Sequence, residues 1–240
     1  MGKLLAVMAV ALIAMLSAAS TALAHNRDFR CNGTFTGVTI KSDVDVPENG
    51  ACTLLNSTVK GEVEAEKNAY FQATKTSIRD EVEGWGAQTI FIDTGSSVGR
   101  GIETDKTAQV FVFNSTINGL IDIYRTSDTV DICGNTVKDG ISVARSGRDI
   151  LIGDPLAIDC AGNNVRGSVS VSRNNTDIEL VVRGNTITKG SMYVLDNAGP
   201  ADKLVQGNTG ARTLRCTGNS ASFGGAGNPG WQQYQGQCGA

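Results

Sequence analysis

The stretch Thr136-Val137-Lys138-Asp139-Gly140-Ile141-Ser142-Val143 is one copy of a phrase that returns in both directions along the chain. Upstream it reads Thr116-Ile117-Asn118-Gly119-Leu120-Ile121-Asp122-Ile123 and Thr58-Val59-Lys60-Gly61-Glu62-Val63-Glu64-Ala65; downstream, Asn164-Val165-Arg166-Gly167-Ser168-Val169-Ser170-Val171. Taking the first apolar residue of each copy as an anchor gives Ile40, Val59, Ile78, Val98, Ile117, Val137, Val165 and Ile187. The intervals are 19, 19, 20, 19, 20, 28 and 22 residues. A period near twenty marks a solenoid or a related array.

Four and six residues after each anchor come further apolar positions, such as Val63 and Ala65, Ile121 and Ile123, Ile141 and Val143, or Val169 and Val171. A second alternating pair precedes the anchor: Cys52 and Leu54, Phe71 and Ala73, Ile90 and Ile92, Val110 and Val112, Val130 and Ile132, Leu180 and Val182. Alternation at period two in Val- and Ile-rich segments is strand chemistry, and no 3.6-residue periodicity competes with it. Three short strands per coil describe an all-β fold, a single-stranded parallel β-helix of about eight to nine coils, with inward side chains stacked at about 4.8 Å. The strict six-residue apolar-Gly pattern of left-handed helices is missing, so a right-handed winding is expected.

Two residues before each anchor stands a polar column, Ser57, Thr76, Ser96, Ser115, Asn135, Asn163, Asn185 and Asn208. Turned inward at a bend, such side chains bond to one another and to the turning backbone. Gly134-Asn135-Thr136-Val137 and Gly184-Asn185-Thr186-Ile187 resemble repeats of right-handed parallel β-helix proteins of the pectate-lyase-like superfamily. The ending, through Leu214-Arg215-Cys216-Thr217-Gly218-Asn219, Gly227-Asn228 and Gly236-Gln237-Cys238, is similar to secreted actinobacterial β-helix proteins of unknown function. The resemblance implies the fold. It implies no particular activity, because the superfamily holds lyases, hydrolases, adhesins and inert scaffolds.

Met1 to Ala24 joins Lys3, an apolar run from Leu4 to Leu16 and the ending Ala22-Leu23-Ala24, the pattern of a secretory signal peptide cleaved after Ala24. Residues 25–38 then read as an N-terminal cap, 39–210 as the β-helix and 211–240 as a loop-rich C-terminal cap. No second hydrophobic segment offers a membrane span. Basic and acidic residues nearly balance, at 21 and 24, which gives no reason to expect nucleic acid as a partner. Six cysteines in an exported chain without a C-x-x-C pair favour disulfides. Fifteen connectivities are possible; stacking should bring Cys133 near Cys160 and Cys31 near Cys52, and Cys216 and Cys238 bracket the C-terminal tail, so the expected set joins neighbours in order, Cys31–Cys52, Cys133–Cys160 and Cys216–Cys238. The long interval from Val137 to Val165 predicts a loop at Gly153-Asp154-Pro155-Leu156, stapled by Cys133–Cys160.

Five residues after successive anchors lies an outward acidic column, Asp45, Glu64, Glu83, Glu103 and Asp122, continued by Ser142 and Ser170. At one-rung spacing adjacent carboxylates repel by about 0.9 kcal/mol even in water. Lys41, Lys60 and Arg79 are expected to pair with Asp43, Glu62 and Glu81, leaving this column unbalanced. Two readings follow. A Ca²⁺ site would collect several carboxylate oxygens; a solvated face needs no ligand, and strand carboxylates alone rarely enclose an ion. Phe91 and Phe111 take matching outward positions and form a candidate aromatic platform for a sugar or a surface partner. The threonine column Thr58, Thr116, Thr136 and Thr186 reads as strand-favouring filler, because its neighbouring rank carries lysine and arginine.

Catalysis is the weaker reading. Glu83 and Glu103, with Arg79 or Arg100 nearby, offer paired carboxylates, but a regular ladder gives them no distinct acid and base environments. The only histidine is His25, and the Asp-Asp and Gly-His-Gly signatures of polygalacturonases are absent. The expected function is therefore a secreted, non-catalytic structural or binding protein with no assigned catalytic residue, its partner a polysaccharide or a surface protein. The alternative is a Ca²⁺-dependent polysaccharide lyase or glycoside hydrolase.

Overall fold

The computed structural model describes residues 28–156, 160–220 and 222–238; the leader segment 1–24 lies outside them. Among the described residues every regular element is a strand, and the strands form three parallel sheets that run the length of a β-solenoid of about ten turns. The central coil shows the plan. Thr136–Val137 belongs to a narrow nine-stranded sheet, Gly140–Ala144 to an eleven-stranded sheet and Gly147–Ile152 to a ten-stranded sheet. We call these sheets III, I and II. Residue Val137 stacks between Ile117 and Val165, Ile141 between Ile121 and Val169, and Ile150 between Val130 and Leu180. All eight anchors are buried, none more than 5 % exposed.

Sharp corners hold the three sheets together, and the sequence meets their demands residue by residue. After the anchors the chain must pass very close to the coil before it. A Cβ on Gly119 would lie 1.1 Å from the Arg100 carbonyl oxygen, and one on Gly167 1.7 Å from that of Asp139, so only glycine fits. At the corner from sheet II to sheet III, Gly134 and Gly184 adopt φ of 70° and 67°, and the asparagine that follows each turns inward. Asn163 Nδ2 donates to Asn185 Oδ1 at 2.9 Å, and Asn185 Nδ2 donates to Asn208 Oδ1 at 2.9 Å. Each also reaches a strand carbonyl, Ile132 O and Ile152 O, at 2.7 Å. This asparagine ladder runs from Asn135 to Asn228; in the earlier coils its place is taken by Ser57, Thr76, Ser96 and Ser115, all buried.

The corner from sheet I to sheet II carries a second ladder that the sequence reading passed over. Thr107, Thr126, Ser146, Asn174, Asn197 and Asn219 are all buried, and the asparagines chain through amide bonds of 2.9 and 2.8 Å to end on Gln237. Two continuous rows of buried amides thus flank the apolar core. They supply donors and acceptors where three sheets cannot bond to one another.

Strands extend into both segments assigned as caps, which is why the turns exceed the eight or nine that the period gives. Phe29–Arg30 and Gly33–Thr36 start sheets I and II; Thr213–Thr217, Phe223–Gly224 and Gln233–Gly236 finish them. Trp231, 6 % exposed, closes the anchor column. Gly210 takes the anchor register beside Ile187, and a Cβ there would lie 2.1 Å from the indole ring, which fills the space instead. All three cystines join neighbouring coils as expected, with Cα separations of 5.4, 4.8 and 5.2 Å for Cys31–Cys52, Cys133–Cys160 and Cys216–Cys238. The inward strand positions Thr104 and Lys203 break the apolar rule. Lys203 continues the column after Leu180 and is 1 % exposed; its ammonium donates to the carbonyls of Gly199 at 3.0 Å and Ala201 at 2.8 Å, and burial lowers its pKa.

Candidate functional site

Two outward surfaces carry chemistry, and the first is the acidic face of sheet I. Asp45, Glu64, Glu83, Glu103 and Asp122 stand opposite one another rung by rung, followed by Ser142 and Ser170. Glu62 and Glu81 flank them on the same face. Burial raises the pKa of Glu64, and Glu83 and Glu66 add to it; burial and then Glu83 do the same for Glu62 and Glu81. Asp45 is raised by burial and Glu66, with Arg30 pulling the other way.

The expected pairing of Lys41, Lys60 and Arg79 with Asp43, Glu62 and Glu81 does not occur: none of these pairs is among the ion pairs of the described residues. The corner after the anchor separates them, and Asp43 instead accepts the backbone N–H of Glu62 at 3.0 Å. Basic side chains gather at the far edge of the sheet. Lys106, Arg125, Arg145 and Arg173 occupy left-handed corner positions, φ 54° to 58°, one residue before the second ladder. Arg125 pairs with Asp105, and Arg125 and Arg145 lie 4.7 and 5.5 Å from the Tyr124 ring centroid. Among the described residues no group of three Asp, Glu, His or Cys side chains is arranged to hold a metal ion. A flat sheet directs its carboxylates outward in parallel, and Glu83 already accepts the Trp85 indole N–H at 2.9 Å.

Raised carboxyl values mean that the folded chain binds more protons than the unfolded one. This contribution to stability is fully present below the ordinary carboxyl range and is lost as pH rises through the raised values. We expect the melting temperature at low ionic strength to rise as pH falls from 7.5 towards 5. Changing Glu83 and Glu103 together to Gln should raise it at pH 7.5 by about 2–4 °C, the equivalent of about 1 kcal/mol, and flatten the pH slope. Calorimetry in calcium, against sodium chloride at matched ionic strength, separates a cation site from screening. A solvated face predicts equal responses to the two salts.

The second surface is a groove on sheet II, of about 750 Å³, lined by Phe113, Asp131, Leu151, Asp93, Pro155 and Cys160 among others. Phe91 and Phe111 are opposed on adjacent rungs as expected, ring centroids 5.8 Å apart, and Asp131 follows Phe111 in the same column. Phe113 was missed, although it alternates with Phe111 along one strand. It lies 5.8 Å from Phe91 and 6.1 Å from Phe111, so the platform has three rings, all half-buried, and Phe113 joins it to the groove.

The described part of the inserted segment contributes Pro155, Cys160 and Ala161 to the groove's wall. Asp154 pairs with Arg183 at 2.9 Å, the Leu156 N–H donates to Asp154 Oδ1 at 3.0 Å, and Pro155 packs against Gly184. Cys133–Cys160 ties its far end to the floor. Beneath this wall the Asp131 pKa is pushed up to about 6, chiefly by burial, with Asp149 and Glu179 on the next rungs adding to it. Asp149 is itself raised by burial and by Asp128, and its Oδ1 is buried with no hydrogen-bond partner. The carboxylates of sheet II, unlike those of sheet I, therefore occupy distinct environments. Nothing in the local sequence around Asp131 signals this, because Pro155, Cys160 and Ala161, which line the groove with it, come from a later coil.

Against known proteins the chain matches no family model, no curated protein and no solved structure, so the parallel β-solenoid and its two outward surfaces are what classify it.

Proposed function

We propose that this chain is an exported, non-catalytic binding protein of the cell envelope or extracellular space, a right-handed β-helix that presents sheet II to a carbohydrate or a surface partner. The observation that carries the reading is the cluster of Phe91, Phe111 and Phe113, half-exposed, mutually packed and continuous with the groove. Flat apolar rings bind the apolar faces of sugars, and an exposed aromatic cluster otherwise carries a solvation cost. The leader sequence and three cystines support export. Neither nucleic acid nor a membrane span enters this reading.

A glycan-array screen of the full mature chain, paired with a reducing-sugar assay, tests it. Binding without release of reducing ends is expected, and changing Phe91 and Phe111 together to Ala should weaken binding at least tenfold, about 1.4 kcal/mol. Wild-type binding by that variant would remove the platform from the proposal.

One observation favours a second reading, a polysaccharide hydrolase or lyase. Asp131, raised to about 6 beside Asp149 and Glu179, has the separated acid environment that glycoside cleavage requires. Release of reducing ends that is lost in Asp131→Asn would establish it.

A further inference from the structure

We infer that the sheet II groove selects ligands carrying a protonated amine, with amino-sugar polymers the class that also suits the ring platform. The inference rests on the reading of sheet II as a carbohydrate-binding surface and adds the charge of the ligand. Asp93 and Asp131 line the groove, with Asp128, Asp149, Asp154 and Glu179 around them; no cation lines it, Lys75 standing at its edge beside Gly95 and Arg148 and Arg183 among the surrounding acids. Both arginines are engaged, Arg148 with Asp128 at 3.3 Å and Arg183 with Asp154 at 2.9 Å. The remaining four carboxylates have no ion-pair partner among the described residues. Glu179 and Asp149 stand directly opposite one another on neighbouring rungs, and the acceptor Asp149 Oδ1 is buried without a donor.

This surface would repel uronates and sulfated sugars, whose charge nothing in the groove compensates. An ammonium group meets two favourable partners at once. Asp131, next to Phe111 in its column and beside Phe113 in the groove, supplies the opposite charge, and the ring faces attract cations through their quadrupoles. The loop wall excludes part of the solvent from Asp131, which strengthens that attraction relative to an exposed pair. The charge of Asp131 also sets the pH response. With its pKa pushed up to about 6, Asp131 gains charge as pH rises from 5 to 6.5, so amine binding should strengthen over that range and weaken again once the amine itself loses its proton.

The test is titration calorimetry of the full mature chain, at low ionic strength and pH 6.5, with tetramers of glucosamine, N-acetylglucosamine and galacturonate. We expect the glucosamine tetramer to bind at least tenfold more tightly than the N-acetylated one, with no heat from galacturonate. Asp131→Asn, checked for a native melting temperature, should abolish the preference, bringing the two glucosamine-based tetramers to similar affinities. Glu179→Gln should reduce the preference in part, as a second variant further from the rings. Equal binding of the amine and acetylated tetramers, or binding of galacturonate, overturns the amine inference and leaves the ring platform standing. Absence of binding by all three overturns the amine inference and counts against the platform as well.

Discussion

Val137→Asp is expected to abolish recovery of folded protein, or to lower its melting temperature by more than about ten degrees. Val137 is 1 % exposed and lies between Ile117 and Val165 in the anchor column. A carboxylate there has no partner in the apolar stack, and burying it costs several kcal/mol whether it stays ionised or takes up a proton. A domain holds only about 5–15 kcal/mol of net stability, so this single change removes a large share. Its neighbour Thr136 faces outward, and Thr136→Asp serves as the matched control with little expected change. Circular dichroism melts of the two variants decide the point. Similar melting curves would show that the column does not carry the core.

Asn185→Leu is expected to cost about 3–5 kcal/mol, far more than Ser115→Ala in the same ladder. Leucine keeps the γ-branched outline of asparagine but is bulkier, so the cost joins lost hydrogen bonds to some overpacking. Removing the Asn185 amide takes the acceptor from the backbone N–H of Asn163 and from one of the two Nδ2 hydrogens of Asn163, and the donor from the Ile152 carbonyl. Each buried group left without a partner costs about 1–3 kcal/mol. Ser115 Oγ makes one bond, to the Phe113 carbonyl at 2.7 Å, and its loss should cost about 1 kcal/mol. Denaturant melts of the two variants give the comparison directly. Equal losses would mean that the amide row is a consequence of the coil and not a source of its stability.

A solenoid lets sequence speak for structure more directly than most folds, because one period along the chain becomes one step up the stack. The anchors from Ile40 to Ile187, the inward pairs, the three cystines and the register of Asp45 through Asp122 were all legible for that reason. The second ladder was equally available. Thr107, Thr126, Ser146 and Asn174 each follow an anchor by nine residues, and Asn197 follows Ile187 by ten. Serine, threonine and asparagine at a bend read as solvent-facing turn residues, and this hid them.

Other features had no counterpart in the period. Lys203 sits at an inward position that alternation alone would give to an apolar residue, and only the carbonyls of Gly199 and Ala201 explain how its ammonium is accommodated. The separation of Lys41, Lys60 and Arg79 from their expected acidic partners follows from the turn of the corner in space. Asp131 looks like any outward strand carboxylate until the fold places Pro155 and Cys160, held by Asp154–Arg183 and by the cystine to Cys133, in the same groove. The sequence by itself determined what repeats, the coil, its core columns and its covalent staples, since those contacts recur at a fixed interval. The tertiary structure alone decided where charge becomes unusual, because desolvation depends on what folds over a residue and not on the residue's place in the repeat.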